Sequence, residues 1–176
     1  MDLAEGMIRE RGYNGFSFRE IAKVVGIKSA SVHHHFPTKD SLALAAARRY
    51  IEEFFRVLGP PKRKDQDVEE IAKHYASVFQ EAFRRSGKAC LCGMLARGAS
   101  TLSDELRSEV ESFVERNINW LTEALQRPGE NRETSAQRAQ MVYVALEGAM
   151  GLAALTQDQT WIDSVAETIV RTIKGS

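Results

Sequence analysis

Two clusters in this 176-residue sequence carry side chains able to do chemistry: three consecutive histidines, His33, His34 and His35, and the cysteine pair of Lys88-Ala-Cys90-Leu-Cys92-Gly. Imidazoles and thiolates are common zinc ligands, and both serve as bases or nucleophiles. Spacing argues against either use. Neighbours on a helix point about 100° apart, so three adjacent imidazoles do not converge on one ion as an i,i+4 pair does. Cys90 and Cys92 face nearly opposite sides of a helix, which disfavours a disulfide between them. A metal-responsive module using Cys90, Cys92 and His74 is a weaker alternative, because two thiolates at i,i+2 without a second ligand pair make a poor site. Cys92, His74 and Glu81 are types that can act as nucleophile, base and acid, yet no spacing joins them. No catalytic residue, metal or cofactor is expected.

Recognition chemistry is the remaining class, and charge bears on it. With 24 basic and 24 acidic residues the net charge is zero, which by itself argues against a phosphate-rich partner. The distribution is uneven. Residues 1–50 carry eight basic and five acidic side chains, so this part is +3 and the remainder −3. No apolar run approaches the roughly 20 residues that cross a bilayer, and the first residues lack a basic segment followed by an apolar one. Two cysteines are too few for a secreted disulfide framework. The expectation is a cytoplasmic protein with no membrane partner.

The elements that hold these residues read as helices throughout. Apolar residues recur at helical spacing and no stretch alternates as a strand would. A first helix spans 2–11 and ends before Gly12. Ser17 caps the next one, with Glu20 three positions on completing a capping box and Phe18, Ile21, Ala22 and Val25 sharing an apolar face. Gly26 breaks that helix, another runs from Ser29 to Phe36, and Pro37 ends it. Thr38 caps a long helix over 39–58. Gly59-Pro60-Pro61 and Lys62-Arg63-Lys64 form a charged linker, after which helices are expected near 67–86, 91–100, 103–126, 133–156 and 159–174. The fold class is all-α with about nine helices: an N-terminal domain of short helices over 1–42 extended by the connecting helix 39–58, and a bundle over 59–176.

Two short helices joined by a glycine turn can set the second in a major groove about 12 Å wide while the first braces it across the backbone. Ala22 stands where such helices approach closest, Gly26 makes the turn, and Val32 anchors the second helix to the first. A generic helical hairpin needs only a turn and apolar faces, and the spacing alone leaves both readings open.

The run from Gly12-Tyr-Asn-Gly-Phe-Ser17 through Ile21-Ala22, Gly26-Ile27 and His33-His-His-Phe36 to Thr38-Lys39-Asp40-Ser-Leu42 resembles the N-terminal signature of TetR-family repressors over about thirty residues. The resemblance implies a helix-turn-helix domain followed by a ligand-binding and dimerisation bundle, a homodimer on palindromic double-stranded operator DNA, and release by a small-molecule inducer. Family members usually have a longer first helix and often a basic arm. This chain begins about ten residues before Gly12, which implies weaker DNA affinity. On this reading Ser29, Ala30 and Ser31 face base edges, while Lys28, His33, His34, Lys39, Ser17 and Arg19 hold phosphates. His33 replaces the usual tyrosine, which brings pH sensitivity. His35 and Phe36 are expected to pack.

The resemblance further implies a cavity among the later helices. Tyr75, Phe79, Phe83, Cys90, Met94, Phe113, Asn117, Trp120, Tyr143 and Glu147 are its candidate lining, with core packing the plainer account of the aromatic residues. Lys88-Ala-Cys90-Leu-Cys92-Gly-Met-Leu resembles the start of the sixth helix in a TetR subgroup with cysteine beside the pocket. That leaves a redox- or electrophile-sensing repressor as an alternative. Gly148 and Gly151, with the stripe Trp161, Ile162, Val165 and Ile169, are the expected dimer surface.

Overall fold

The computed structural model describes residues 1–61 and 67–175. Among these residues the chain forms nine α-helices and two short 3-10 turns, with no strand. It divides into two compact units that interleave in sequence, Met1–Glu53 with Ala89–Phe113, and Phe54–Lys88 with Val114–Ser176. A division by sequence at residues 42 and 59 groups 59–176 together, whereas residues 89–113 cluster in space with the N-terminal helices. The expected linker cations Lys62, Arg63 and Lys64 lie outside the described residues.

In the first unit α1 (Asp2–Arg11) buries Ala4, Met7 and Ile8 and stops at Gly12. With φ at 74° that glycine sits in backbone space other residues avoid, and its N–H donates to the Ile8 carbonyl at 2.8 Å. The turn Tyr13–Gly15 leads into α2 (Phe18–Val25), the turn at Gly26 into α3 (Ser29–His35), and Thr38 into α4 (Lys39–Leu58). Thr38 and Ser41 cap one another: the Ser41 N–H donates to Thr38 Oγ1 at 3.0 Å, and the Thr38 N–H to Ser41 Oγ at 3.2 Å. Side chains then tie α4 to its neighbours. Arg49 pairs with Asp2 and Glu5 of α1, and Arg48 reaches Glu105 and Glu109 of α7 (Asp104–Ala124) at 3.0 Å each. Arg9 of α1 donates to the Ala89 carbonyl at 2.7 Å, just before α6 (Leu91–Ala96). The stretch expected as a helix over 91–100 breaks after Ala96 into a separate 3-10 turn, Ala99–Thr101, with Gly98 between them.

The second unit contains α5 (Val68–Ser86), α8 (Arg132–Thr156) and α9 (Thr160–Gly175) packed on one another. Tyr75, Phe79, Leu121, Leu125, Leu146, Met150, Ile162 and Ile169 form its buried core. Among the described residues α8 alone is long and apolar enough to cross a bilayer, contrary to the expectation that no such run occurs. Its alanines, with Val, Leu and Met, raise the mean hydropathy, yet Ser135, Ala139, Val142, Leu146, Ala149 and Ala153 are buried in the protein, as in a core helix.

At the start of α8 the Glu130 carboxylate accepts from Ser135 Oγ at 2.7 Å and from the Arg138 guanidinium at 3.0 Å. Arg138 and Ser135 hold its pKa down at about 2. Because the folded value lies below the ordinary 4.5, this pairing stabilises the protein above about pH 4.5 and is lost as pH falls toward 2. Arg138→Ala should therefore lower the melting temperature at neutral pH and flatten its decline between those two pH values. Melting curves across the acid range check this.

Candidate nucleic-acid interface

Ser17 begins the helix-turn-helix with extended backbone and accepts the Glu20 N–H at 3.2 Å through its hydroxyl oxygen. The same hydroxyl donates to the Glu20 carboxylate at 3.1 Å, and Arg11 pairs with the other carboxylate oxygen at 3.2 Å. Ser17 first, then Arg11, holds the Glu20 carboxyl below its usual range. Ser17 is thus committed to capping and only half-exposed, while Arg19 beside it is exposed. Phe18, Ile21 and Ala22 are buried, and Val32 is the buried anchor of α3 against α2. Gly26, at φ 76° and ψ 28°, makes the turn in the left-handed region, where a Cβ would be strained.

Val25 is a correction: expected on the apolar face, it is 56% exposed, and Val24 and Ile27 are exposed with it. The helix is only eight residues long and its last turn runs past the contact with α3. His35 is a second correction, since it is exposed rather than packed, and Phe36 is half-buried. A seven-residue helix anchored through Val32 leaves most of its surface outside. That surface carries Ala30, Ser31, His33, His34 and His35, all exposed, and the half-exposed Ser29, with exposed Lys28 as the N-cap residue. The His33 ring stands edge-on to Phe18 with centroids 4.6 Å apart.

Lys39 is held more firmly than sequence suggests. Its ammonium lies 4.7 Å from the centre of the Tyr13 ring and 4.6 Å from that of Phe16. Burial against these rings lowers its pKa from the usual lysine value. The Tyr13 hydroxyl donates to Asp40, and burial with that carboxylate pushes the phenol well above its ordinary range. The two aromatics belong to the Gly-Tyr-Asn-Gly-Phe stretch, whose motif match was visible but whose use as a shelf for Lys39 was not.

The candidate ligand residues separate by unit. Cys90, Met94 and Phe113 belong to the first, and the cysteines are buried, Cys90 at 2% and Cys92 at 1% exposure. In the second, the Tyr75 hydroxyl donates to Asn117 Oδ1 at 2.6 Å, and the Tyr75 ring lies 5.5 Å from Trp120 and 5.6 Å from Phe79. Trp120 donates to the Gly59 carbonyl at 2.8 Å. Phe83 and Tyr143 are buried and Glu147 is half-buried. Among the described residues no three His, Cys, Asp or Glu side chains lie close enough to hold a metal.

Of the expected dimer residues, Ile162 and Ile169 turn inward and are covered within the chain. The stripe they belong to, with Ala166 and Ile173, is the core face of α9. Trp161 and Gly148 are exposed, and Val165 and Gly151 intermediate. The apolar surface left outside lies mainly on α8, where Met141, Val144, Leu152 and Leu155 recur at helical spacing around Gly148.

Residues 1–46 match the N-terminal domain of the bacterial regulatory proteins of the tetR family, and residues 66–168 the C-terminal domain of LmrA/YxaF-like transcriptional regulators. A TetR transcriptional regulator from Legionella pneumophila superposes with a TM-score of 0.87 at 30% identity, covering 97% of this chain and 93% of that one. The transcriptional regulator RutR of Escherichia coli O157:H7 is 27% identical over 59% of this chain, a match spanning about half of RutR's own length. The repressor NemR of Escherichia coli K12 is 24% identical over 82% of this chain and 77% of its own.

Proposed function

Because the chain belongs to the TetR family of bacterial transcriptional regulators, we propose that it is a repressor that grips palindromic operator DNA as a symmetric dimer in the cytoplasm and releases it when a small molecule occupies the C-terminal helices. The small-residue face of exposed Ala30 and Ser31 and half-exposed Ser29 is the observation that carries the DNA reading. Small side chains let the helix backbone approach base edges, and hydroxyls and a methyl are sequence readers. Around them Lys28, Arg19, Lys39, His33 and His34 supply phosphate contacts, which set register. Lys39, seated on two rings, loses little side-chain freedom on meeting a phosphate.

Two half-sites lie about 34–36 Å apart, so any change in the spacing of the recognition helices disturbs both contacts together. The exposed stripe on α8 and Trp161 supports a helical interface between subunits, since a contiguous apolar face of this kind marks an interaction site. The long α4 is the lever, and reversing a 99:1 population needs a ligand that favours one state by about 5.5 kcal/mol. Tyr75, Asn117 and Trp120 offer polar groups in an apolar setting, as small-molecule sites do.

A gel shift with the upstream region of its own gene tests the reading. Binding should be palindromic and steeply salt-dependent, and Lys39→Ala and His34→Ala should each weaken it by roughly three- to tenfold across sequences, in the manner of phosphate contacts. Failure of both substitutions to weaken it would remove these residues from the interface. A thermal-shift screen against small molecules, electrophiles included, identifies the inducer by the melting temperature it raises.

A further inference from the structure

The last turn of α3 holds His33, His34 and His35, all exposed. Among the described residues none of the three makes a hydrogen bond or an ion pair; their contacts are His33 against the Phe18 ring and His34 against His35, with ring centres 5.4 Å apart. Three adjacent side chains on a helix fan out over most of its circumference, so whichever way α3 lies on a duplex, part of this cluster faces the phosphates that flank the groove. We propose that this cluster makes DNA binding proton-linked, so that the protein holds its operator more tightly as pH falls through the imidazole range. The inference rests on the reading of α3 as the groove-facing helix.

The surroundings favour this coupling. Charged groups on α2, against which α3 packs, are Arg19, Glu20 and Lys23; Lys28 precedes α3, and Lys39 and Asp40 open α4. The two carboxylates are already engaged, Glu20 by Ser17 and Arg11, and Asp40 by Tyr13. Cations are thus the neighbours left to an imidazolium in the free protein. Phosphates bring the compensating charge only in the complex, so binding takes up protons and proton uptake favours binding. The gain is present at acid pH and fades as pH rises past the value the imidazoles hold in the complex.

The test measures affinity for a mixed-sequence duplex of about 40 base pairs, whose phosphates suffice for this term, at several salt concentrations between pH 8 and pH 6. Wild-type affinity should rise about tenfold toward pH 6, and the slope of log K against log salt should steepen by about 0.9 for each phosphate newly neutralised. His33→Asn, His34→Gln and His35→Asn combined should lose both changes, its affinity at pH 6 staying within about twofold of its own value at pH 8. Should that variant fold poorly, nuclear magnetic resonance titration of the wild-type imidazoles with and without the duplex replaces it, with midpoints moving upward when DNA is present. Tight binding that ignores pH overturns the inference and leaves the DNA reading standing, as does a pH response that survives the triple substitution and so comes from elsewhere, for example His74. No binding at any pH in low salt overturns the DNA reading itself.

Discussion

Val144→Asp combined with Leu155→Asp should give a helical, monomeric chain whose operator affinity is at least about a hundredfold weaker than wild type. The two side chains are 65% and 79% exposed in the single chain, so a carboxylate at either position stays hydrated and costs the subunit little. Across a subunit interface the same carboxylates would be stripped of water with no partner, a loss of several kcal/mol for each. Leu152 and Met141 continue the stripe, Trp161 is exposed at the start of α9, and the open space around Gly148 leaves room for a second helix to approach. Without the dimer each half-site is bound alone, and the advantage of simultaneous engagement disappears. Sedimentation equilibrium, far-ultraviolet circular dichroism and a gel shift on wild type and the double variant separate the outcomes. A double variant that remains dimeric would place the subunit contact elsewhere on the surface.

The signals that made this fold legible are local ones. Ser17 with Glu20, Gly26, Pro37 and Thr38 each act through their own backbone and nearest turn, so the bounds of α2, α3 and α4 follow from residue type alone. Partnership between distant segments was not legible. An apolar stripe announces that a helix face will be buried, but not by which neighbour. Ile162 and Ile169 satisfy that stripe inside the chain, and the face of α8 left outside is diluted by alanine and glycine, which makes it the weaker of the two patterns. Val25 shows the complementary error: periodicity extends an apolar face to the helix end, while burial stops where the partner helix does. The Lys39 shelf joins residues 13, 16 and 39 around the outside of the motif, and no periodicity links them.

The largest functional effect should come from removing the buried polar pair at the centre of the second unit. Tyr75 and Asn117 expose no surface, and their 2.6 Å hydrogen bond lies among Phe79, Trp120 and other apolar groups. Asn117→Leu leaves the phenol in this setting without its acceptor, at a cost of roughly 1–3 kcal/mol. Adding Tyr75→Phe removes the orphaned hydroxyl and should restore most of that loss, because replacing both partners by apolar groups of similar shape is nearly neutral. If the pair served packing alone, the double variant would behave as wild type in every assay. If it orients the inducer, the double variant should fold, dimerise and bind operator normally yet no longer respond to the compound found by the thermal-shift screen. At a hundred times its dissociation constant that compound should stabilise wild type by about 2.7 kcal/mol. For the double variant the shift in melting temperature should all but vanish, and the operator complex should persist at inducer concentrations that dissolve the wild-type one. Retained induction in a stable double variant would assign the pair to the core and send the search for the ligand to other residues.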